Sequence, residues 1–294
     1  MGAPNTQVLL DSRDAGKGVA SGHPHPLAIV IREAVEVFAE MGFAVADGPI
    51  VETEYYNFDA LNIPKDHPAR DAWDTFWLKP VASSDRSAQL DAVSASGLGL
   101  KTQTSNDSPC QSASSPQMSA LLRTHTSPVQ IRYMESHQPP IRIIAPGRTY
   151  RYEATDATHE AQFFQLEGLM VDRDVSVAHL KAVLEKFFSA MFKKESTIRM
   201  RPSYFPFVEP GFEVDVSCFK CVRKGCNICK QSGWIEILGA GMVQQSVLAN
   251  VGISPREYRG FAFGCGVERI AMLRYGVTDV RAFHNGDLRV VTQF

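Results

Sequence analysis

An α+β fold is predicted for this chain, and three observations predict it. Residues 146–153 and 162–170 scan as two β-segments joined by a polar loop, an antiparallel hairpin. Strand-like and helix-like segments elsewhere do not alternate regularly, as a doubly wound parallel sheet requires. The turn Gly264-Cys265-Gly266 also lacks the third glycine of a dinucleotide-binding fingerprint, because Arg269 occupies that place. With 294 residues, 44% of them apolar and 21% charged, the chain has ample length for a core and an ordinary soluble composition. A net charge of −2 supplies no global basic field for nucleic acid. No apolar run approaches a membrane span, and residues 1–20 lack the apolar core of a secretory signal, which predicts a cytoplasmic protein with no membrane partner.

Residues 1–21 are polar and unpatterned and read as a disordered lead-in. Leu27, Val30, Ile31, Ala34, Val35, Phe38 and Met41 then recur at helical spacing, with Pro26 suited to the start and Gly42 to the end. Residues 43–45 and 50–53 read as short strands broken by the turn Asp47-Gly48-Pro49. An irregular run of aromatics and charges follows at 55–78. Residues 82–119, rich in Ser, Gln, Asp and Thr, read as a flexible surface insertion. Order resumes at 121–128, and 129–135 reads as a helical turn or two.

In the central hairpin, alternation puts Arg151 and Glu153 on one side of the first strand, and Phe163, Gln165, Glu167 and Leu169 on one face of the second. Arg151, Glu153, Gln165 and Glu167 would thus share a surface. Such a set is either a ligand site or a solvated face with a cross-strand ion pair. Ser176 is placed to cap a helix reaching 192. Residues 198–201 read as a strand, and the prolines at 202, 206 and 210 argue against a central strand after it. Residues 213–216 and 234–238 flank a cysteine cluster like hairpin arms. A helix at 245–251 stops at Gly252, and 260–276 reads as strand, glycine turn and helix. A Gly-x-Gly turn there can bring backbone amides to an anion.

Four of the six cysteines fall in the spacing Cys-x2-Cys-x4-Cys-x2-Cys. In a reducing compartment, Cys218, Cys221, Cys226 and Cys229 read as a knuckle at 218–230 that can hold one tetrahedral zinc, or as a reduced hairpin tip without metal. Lys220, Arg223, Lys224 and Lys230 make that tip basic, for contact with RNA or simply as a solvated tip.

Three pieces carry a resemblance: a helix running into a proline-bearing strand (27–52), Arg151-x-Glu153, and Gly-x-Gly-x-Glu-Arg opening a helix (264–269). Their order resembles motifs 1, 2 and 3 of the class II aminoacyl-tRNA synthetases. Several strings are similar to the bacterial phenylalanine–tRNA ligase alpha-subunit family, among them YNFDALNIPKDHPARDAWDTFWL, LLRTHTSPVQIRYM, PGRTYRYEATDATHEAQFFQLEGL, RPSYFPFVEPGFEVDV, GWIEILGAGMV and GFAFGCGVERIAMLRYGVTDVRAFHNGDLR. The similarity covers 22–294 apart from the insertion.

The resemblance implies a class II catalytic domain over 22–294, an antiparallel sheet flanked by helices. It implies activation of phenylalanine by ATP to phenylalanyl-adenylate, then transfer to the terminal ribose 2′-OH of tRNA(Phe). Arg151 would hold the α-phosphate, Glu153 would lie near the adenine amino group, and Arg269 would grip the γ-phosphate. His159 would meet phosphates or the tRNA end, Gly264 and Gly266 would let backbone approach the nucleotide, and Glu209 would be a magnesium-associated carboxylate. Around the amino acid, His125, Ser127 and Gln130 would meet its amino and carboxylate ends. Gln165 and Glu167 would bind the α-ammonium, Trp73 would lie at the pocket edge, and Phe205 and Phe207 would stack on the ring. Ala262 would face its para position. The family's alpha chain works with a beta chain as an α2β2 heterotetramer.

Two features depart from the family pattern. About twenty residues precede the predicted module, too few for the family's helical arm at about 1.5 Å per residue, so the chain is expected to be truncated or naturally shortened. The knuckle occurs only in some members. The alternative reading is a non-catalytic paralogue that binds RNA or regulates, which decayed motif arginines would favour; Arg151 and Arg269 are both present. A ligase for another amino acid is a third reading, against which Phe205-Pro206-Phe207 and Ala262 favour phenylalanine.

Overall fold

The computed structural model describes residues 22–71, 74–79 and 119–294; the lead-in at 1–21, Trp73 and all of the 82–119 insertion except Ser119 lie outside them. Helix α1 (Pro26–Glu40) leads through β1 (Ala44–Val45) and β2 (Val51–Thr53) to the single turn α2 (Glu54–Asn57). Strand β3 (Ala120–Leu122) and α3 (Ser127–Ser136) precede the long pair β4 (Ile141–Tyr150) and β5 (Gln162–Asp172). There follow α4 (Val177–Phe192), β6 (Ile198–Phe205), β7 (Val208–Ser217), β8 (Trp234–Val243), α5 (Gln245–Asn250), β9 (Arg259–Gly266), α6 (Val267–Tyr275) and α7 (Leu288–Val291).

The main sheet runs β1-β4-β5-β9-β8-β7-β6. It is antiparallel except at one edge, where β1 pairs parallel to β4; β2 and β3 make a separate antiparallel pair. The expected antiparallel sheet flanked by helices is therefore present, with a parallel edge strand added.

Period-2 alternation sorts strand residues between two cores. Ile144, Leu166, Phe261 and Phe263 face one side, where Phe38 of α1, Leu184 and Phe187 of α4, and Ile270 of α6 pack on them. Ile143, Leu169 and Val171 face the other, under Ile131 and Met134 of α3 and Leu248 of α5. Phe38 ties the first core together, with ring centroids 4.7 Å from Phe187 and 5.4 Å from Phe263. Each such fully buried ring contributes roughly 1.5–3 kcal/mol. Gly168 completes this core by having no side chain, since a Cβ there would lie 2.1 Å from the Phe263 ring. Gly168→Ala is expected to destabilise the protein by about 1–3 kcal/mol, read as a fall of several degrees in the thermal unfolding midpoint; an unchanged midpoint would count against this packing.

Three local expectations are corrected. The first hairpin arm ends at Tyr150 and not at 153, because the Tyr152 N–H turns away to the carbonyl of Asp74 at 3.1 Å. Strand structure continues through the proline-rich run. Pro202 sits on β6, an edge strand that uses donors on one side only, and Pro210 sits where the β7–β8 register shifts. Ser176 occupies the cap position of α4, but its hydroxyl meets the His179 ring at 3.2 Å and no first-turn amide.

Candidate active site

A cleft of about 370 Å³ opens on the second face of the sheet, roofed by the segment around Phe58–Ile63 and walled by the β6–β7 turn. Strand β5 places Gln165, Glu167 and Leu169 on its floor, where register sets them beside Gly266, Gly264 and Ala262 of β9. Helix α3 and the residues before it supply His125, Ser127 and Gln130, and the turn supplies Phe205 and Phe207. Arg151, just past the end of β4, closes the lining. Of the site residues expected from the sequence, these ten (with Gly264 and Ala262) meet at one cavity.

The polar end is built around Glu167. Its carboxylate accepts from the Thr126 amide at 3.1 Å, the Ser127 hydroxyl at 2.6 Å and the Gln130 amide at 2.8 Å. Burial nevertheless prevails over those bonds and over Arg151, and pushes the Glu167 carboxyl up to about 7. Close by, Gln165 Oε1 and both ring nitrogens of His125 are buried without a hydrogen-bond partner. Burial, with Arg151 adding to it, pulls the His125 ring down to about 3, so the ring is neutral. Unpartnered acceptors beside a buried carboxyl suit a cation that donates several hydrogen bonds.

The other end is apolar. Phe205 and Phe207 lie with ring centroids 6.0 Å apart at 28°. Glycines carry the floor beneath them; a Cβ at Gly239 would reach 3.0 Å from Phe205. Gly264 is needed for packing as well, since a Cβ there would sit 2.9 Å from Glu167 Cγ. It makes room for the carboxylate. Gly266 is the open one, its nearest neighbour being Arg269 Cβ at 4.0 Å.

Both arginines leave the sheet at the same end, because β4 and β9 run in one direction on either side of β5. The Arg151 Nε donates to the Thr124 carbonyl at 3.1 Å, and its guanidinium stands 5.0 Å from the Phe163 ring centre. Burial lowers its pKa, while Glu153, Glu167 and Asp74 oppose that shift. Arg269 is exposed in the first turn of α6. Partial desolvation by its neighbours lowers its pKa, against the field of Glu236.

The comparisons with known proteins agree with this arrangement. A model of the class II core domain of tRNA synthetases (F) matches residues 10–294. The phenylalanine–tRNA ligase alpha subunit of Bacillus licheniformis is 49% identical over 290 residues, 98% of this chain and 73% of that protein. Its counterpart in Caldicellulosiruptor saccharolyticus is 50% identical over 97% of this chain and 73% of its own length. The chain belongs to the phenylalanine–tRNA ligase alpha-subunit family, within class II. Among solved structures, pyrrolysyl-tRNA synthetase from Desulfitobacterium hafniense shares the fold at 18% identity, with a TM-score of 0.58 over 88% of this chain and 73% of that one.

Several expected residues lie outside the cleft of this class II core. Glu153 is exposed on the loop after β4. His159 is exposed on the same loop, its ring 3.2 Å from both Asp156 oxygens. Glu209 lines a separate cavity with Arg256 and Arg259. Trp73 lies outside the described residues. The four cysteines are at the β7–β8 tip.

The structure also adds residues that the sequence reading passed over. Asp215, buried in β7, accepts from Arg199 at 2.6 Å and Arg201 at 2.9 Å; burial raises its pKa, but the two guanidiniums hold it below the usual carboxylate range. Arg201 also donates to Glu236 at 2.6 Å. Alternation of Arg199 with Arg201, and of Glu213 with Asp215, was a usable signal once the two segments are paired. Arg123 had none. It donates to the carbonyls of Arg148 at 2.8 Å and Gly48 at 3.0 Å, pinning the segment before α3 between strand β4 and the loop at Gly48. Glu268 accepts from the Phe164 amide at 2.8 Å and so fastens α6, and Arg269 with it, to β5. No helix among the described residues is long and apolar enough to cross a membrane.

Proposed function

We propose that the chain is the catalytic alpha subunit of a phenylalanine–tRNA ligase. One observation carries the reading: a single cleft joins a buried carboxyl with unpartnered acceptors, an aromatic pocket, and an arginine at its mouth. The amino acid's ammonium would sit against Glu167 and Gln165, and its ring between Phe205, Phe207 and Ala262. Its carboxylate oxygen then attacks the α-phosphorus of ATP while the bond to the β-phosphate oxygen breaks, giving phenylalanyl-adenylate and pyrophosphate. The 2′-OH of the terminal ribose of tRNA(Phe) next attacks the acyl carbon, and AMP leaves. Such phosphoryl chemistry needs positioning and charge stabilisation more than a protein base. Arg151 fits the α-phosphate because a planar fork matches its oxygens, and Arg269 fits the far end of the triphosphate. His125 and Gln130 complete the amino-acid end, and Ser127 orients Glu167.

Magnesium is the ion that this chemistry employs to neutralise phosphate charge. Glu209, an oxygen donor that lines a separate cavity with Arg256 and Arg259, is the carboxylate that would hold this ion. Glu153 and His159, on the exposed loop, would reach the nucleotide base and the tRNA end by movement of that loop. The partner is a beta subunit in an α2β2 assembly, and the place of action is the cytoplasm.

Phenylalanine-dependent ATP–pyrophosphate exchange, measured with and without a phenylalanine–tRNA ligase beta subunit, tests the reading. Exchange that requires phenylalanine supports it; its absence with the beta subunit present leaves a non-catalytic paralogue, and preference for another amino acid removes the substrate. Ala262→Gly is expected to admit para-chlorophenylalanine, narrowing its discrimination about tenfold or more, as a methylene's worth of space does. Unaltered discrimination in the exchange assay would contradict the placement of the ring.

A further inference from the structure

The β7–β8 hairpin ends in a tip that the ligase chemistry leaves unexplained. Cys218, Cys221, Cys226 and Cys229 bring their four sulfurs within 4.8 Å of one another. Three separations, Cys218–Cys226, Cys221–Cys229 and Cys226–Cys229, are each 3.7 Å. Four thiolates about 2.3 Å from a tetrahedral zinc lie about 3.8 Å apart, whereas a disulfide requires about 2.05 Å. The near-equal spacings favour no pairing of two cysteines over another.

The backbone supports the same conclusion. Each Cys-x2-Cys pair is followed by two non-glycine residues in the left-handed region: Val222 (φ 48°) and Arg223 (65°), then Lys230 (48°) and Gln231 (66°). A β-branched valine there is a real outlier, and such conformations persist only where the surroundings over-determine them. The i+3 amides of Lys224 and Ser232 bond the carbonyls of Cys221 and Cys229, each at 3.0 Å, so the two halves repeat one design. Amides of Cys226 and Gly233 donate to Cys229 Sγ at 3.2 and 3.3 Å, as they would to a thiolate. Charge completes the case. Zinc with four thiolates carries −2, and the tip holds Lys220, Arg223, Lys224 and Lys230 with no acid between Cys218 and Lys230.

We propose that this tip is a structural zinc site, one ion per chain, held by the four cysteines and independent of the ligase reading. The ion clamps the hairpin whose strands carry Gly239, Ala240 and Val208 to the cleft lining, and it takes no part in the reaction. The test is metal content of the full chain purified under reducing conditions, with titration by Co2+ as a spectroscopic stand-in for zinc. One equivalent of zinc is expected, together with the charge-transfer and d–d bands of tetrahedral cobalt thiolate. Cys221→Ser and Cys226→Ser, the two partly exposed ligands, should each reduce bound metal at least tenfold and lower the thermal midpoint. Should the variants fail to fold, the unaltered chain decides. If it carries no zinc, takes up no Co2+ in tetrahedral thiolate form, or is isolated with disulfides in place of thiols, the proposal is overturned. None of these readouts depends on phenylalanine activation, so the two readings fail separately.

Discussion

Arg151→Ala is expected to slow adenylate formation about 10³-fold or more, with the fold intact. The magnitude follows from removing a preorganised donor aimed at charge that develops on the α-phosphate. Arg151→Lys should recover little of the loss, because a point charge cannot reproduce the fork that bonds the Thr124 carbonyl at 3.1 Å while presenting its remaining donors to the cleft. Single-turnover formation of phenylalanyl-adenylate gives the rate, and phenylalanine affinity measured alongside isolates the step. A loss confined to phenylalanine affinity, with the chemical rate unchanged, would move Arg151 from the phosphate to the amino acid. Unfolding midpoints guard against a trivial cause, since the side chain also lies over Phe163.

Glu167→Gln is expected to weaken phenylalanine binding about 100-fold at pH 8, consistent with the several kcal/mol lost when a buried charge pair is broken. The same substitution should abolish a pH dependence. Burial holds the Glu167 carboxyl at about 7, so in the free protein it is largely protonated below that value. An ammonium ligand binds the ionised form. Affinity in the unaltered protein should therefore fall as pH drops below about 7, approaching tenfold per unit. The stability of the free protein follows the opposite course. Its pKa is raised above the ordinary carboxylate value, so the contribution of this group is complete below that ordinary value and is lost as pH rises through about 7. Calorimetric titration with phenylalanine from pH 5.5 to 8.5 checks the first trend. A flat profile in the unaltered protein would place the ammonium elsewhere.

Much of the fold was readable because its signals are local. Helical spacing from Leu27 to Met41, the hairpin around residues 146–170, and Gly276 at φ 72° ending α6 each express a backbone period or a single conformational demand. The prolines misled because their effect depends on sheet position: at the β6 edge or a register shift, a missing donor costs little. Strand alternation extended past Tyr150 places Glu153 on the Arg151 surface, but the chain has already turned away there.

By itself the sequence determined the fold class, the family, and the cysteine spacing, since each depends on residues near one another along the chain or on strings long enough to be specific. The tertiary structure decided how the site's side chains come together in one cavity and what enclosure does to their charge. Gln165, Glu167, Gly264 and Gly239 meet only through the β5–β9–β8 register. Gly264 leaves room for the Glu167 side chain, a packing demand visible only once the two strands are paired. The high pKa of Glu167 comes from enclosure, and desolvation belongs to the assembled cleft rather than to any stretch of chain.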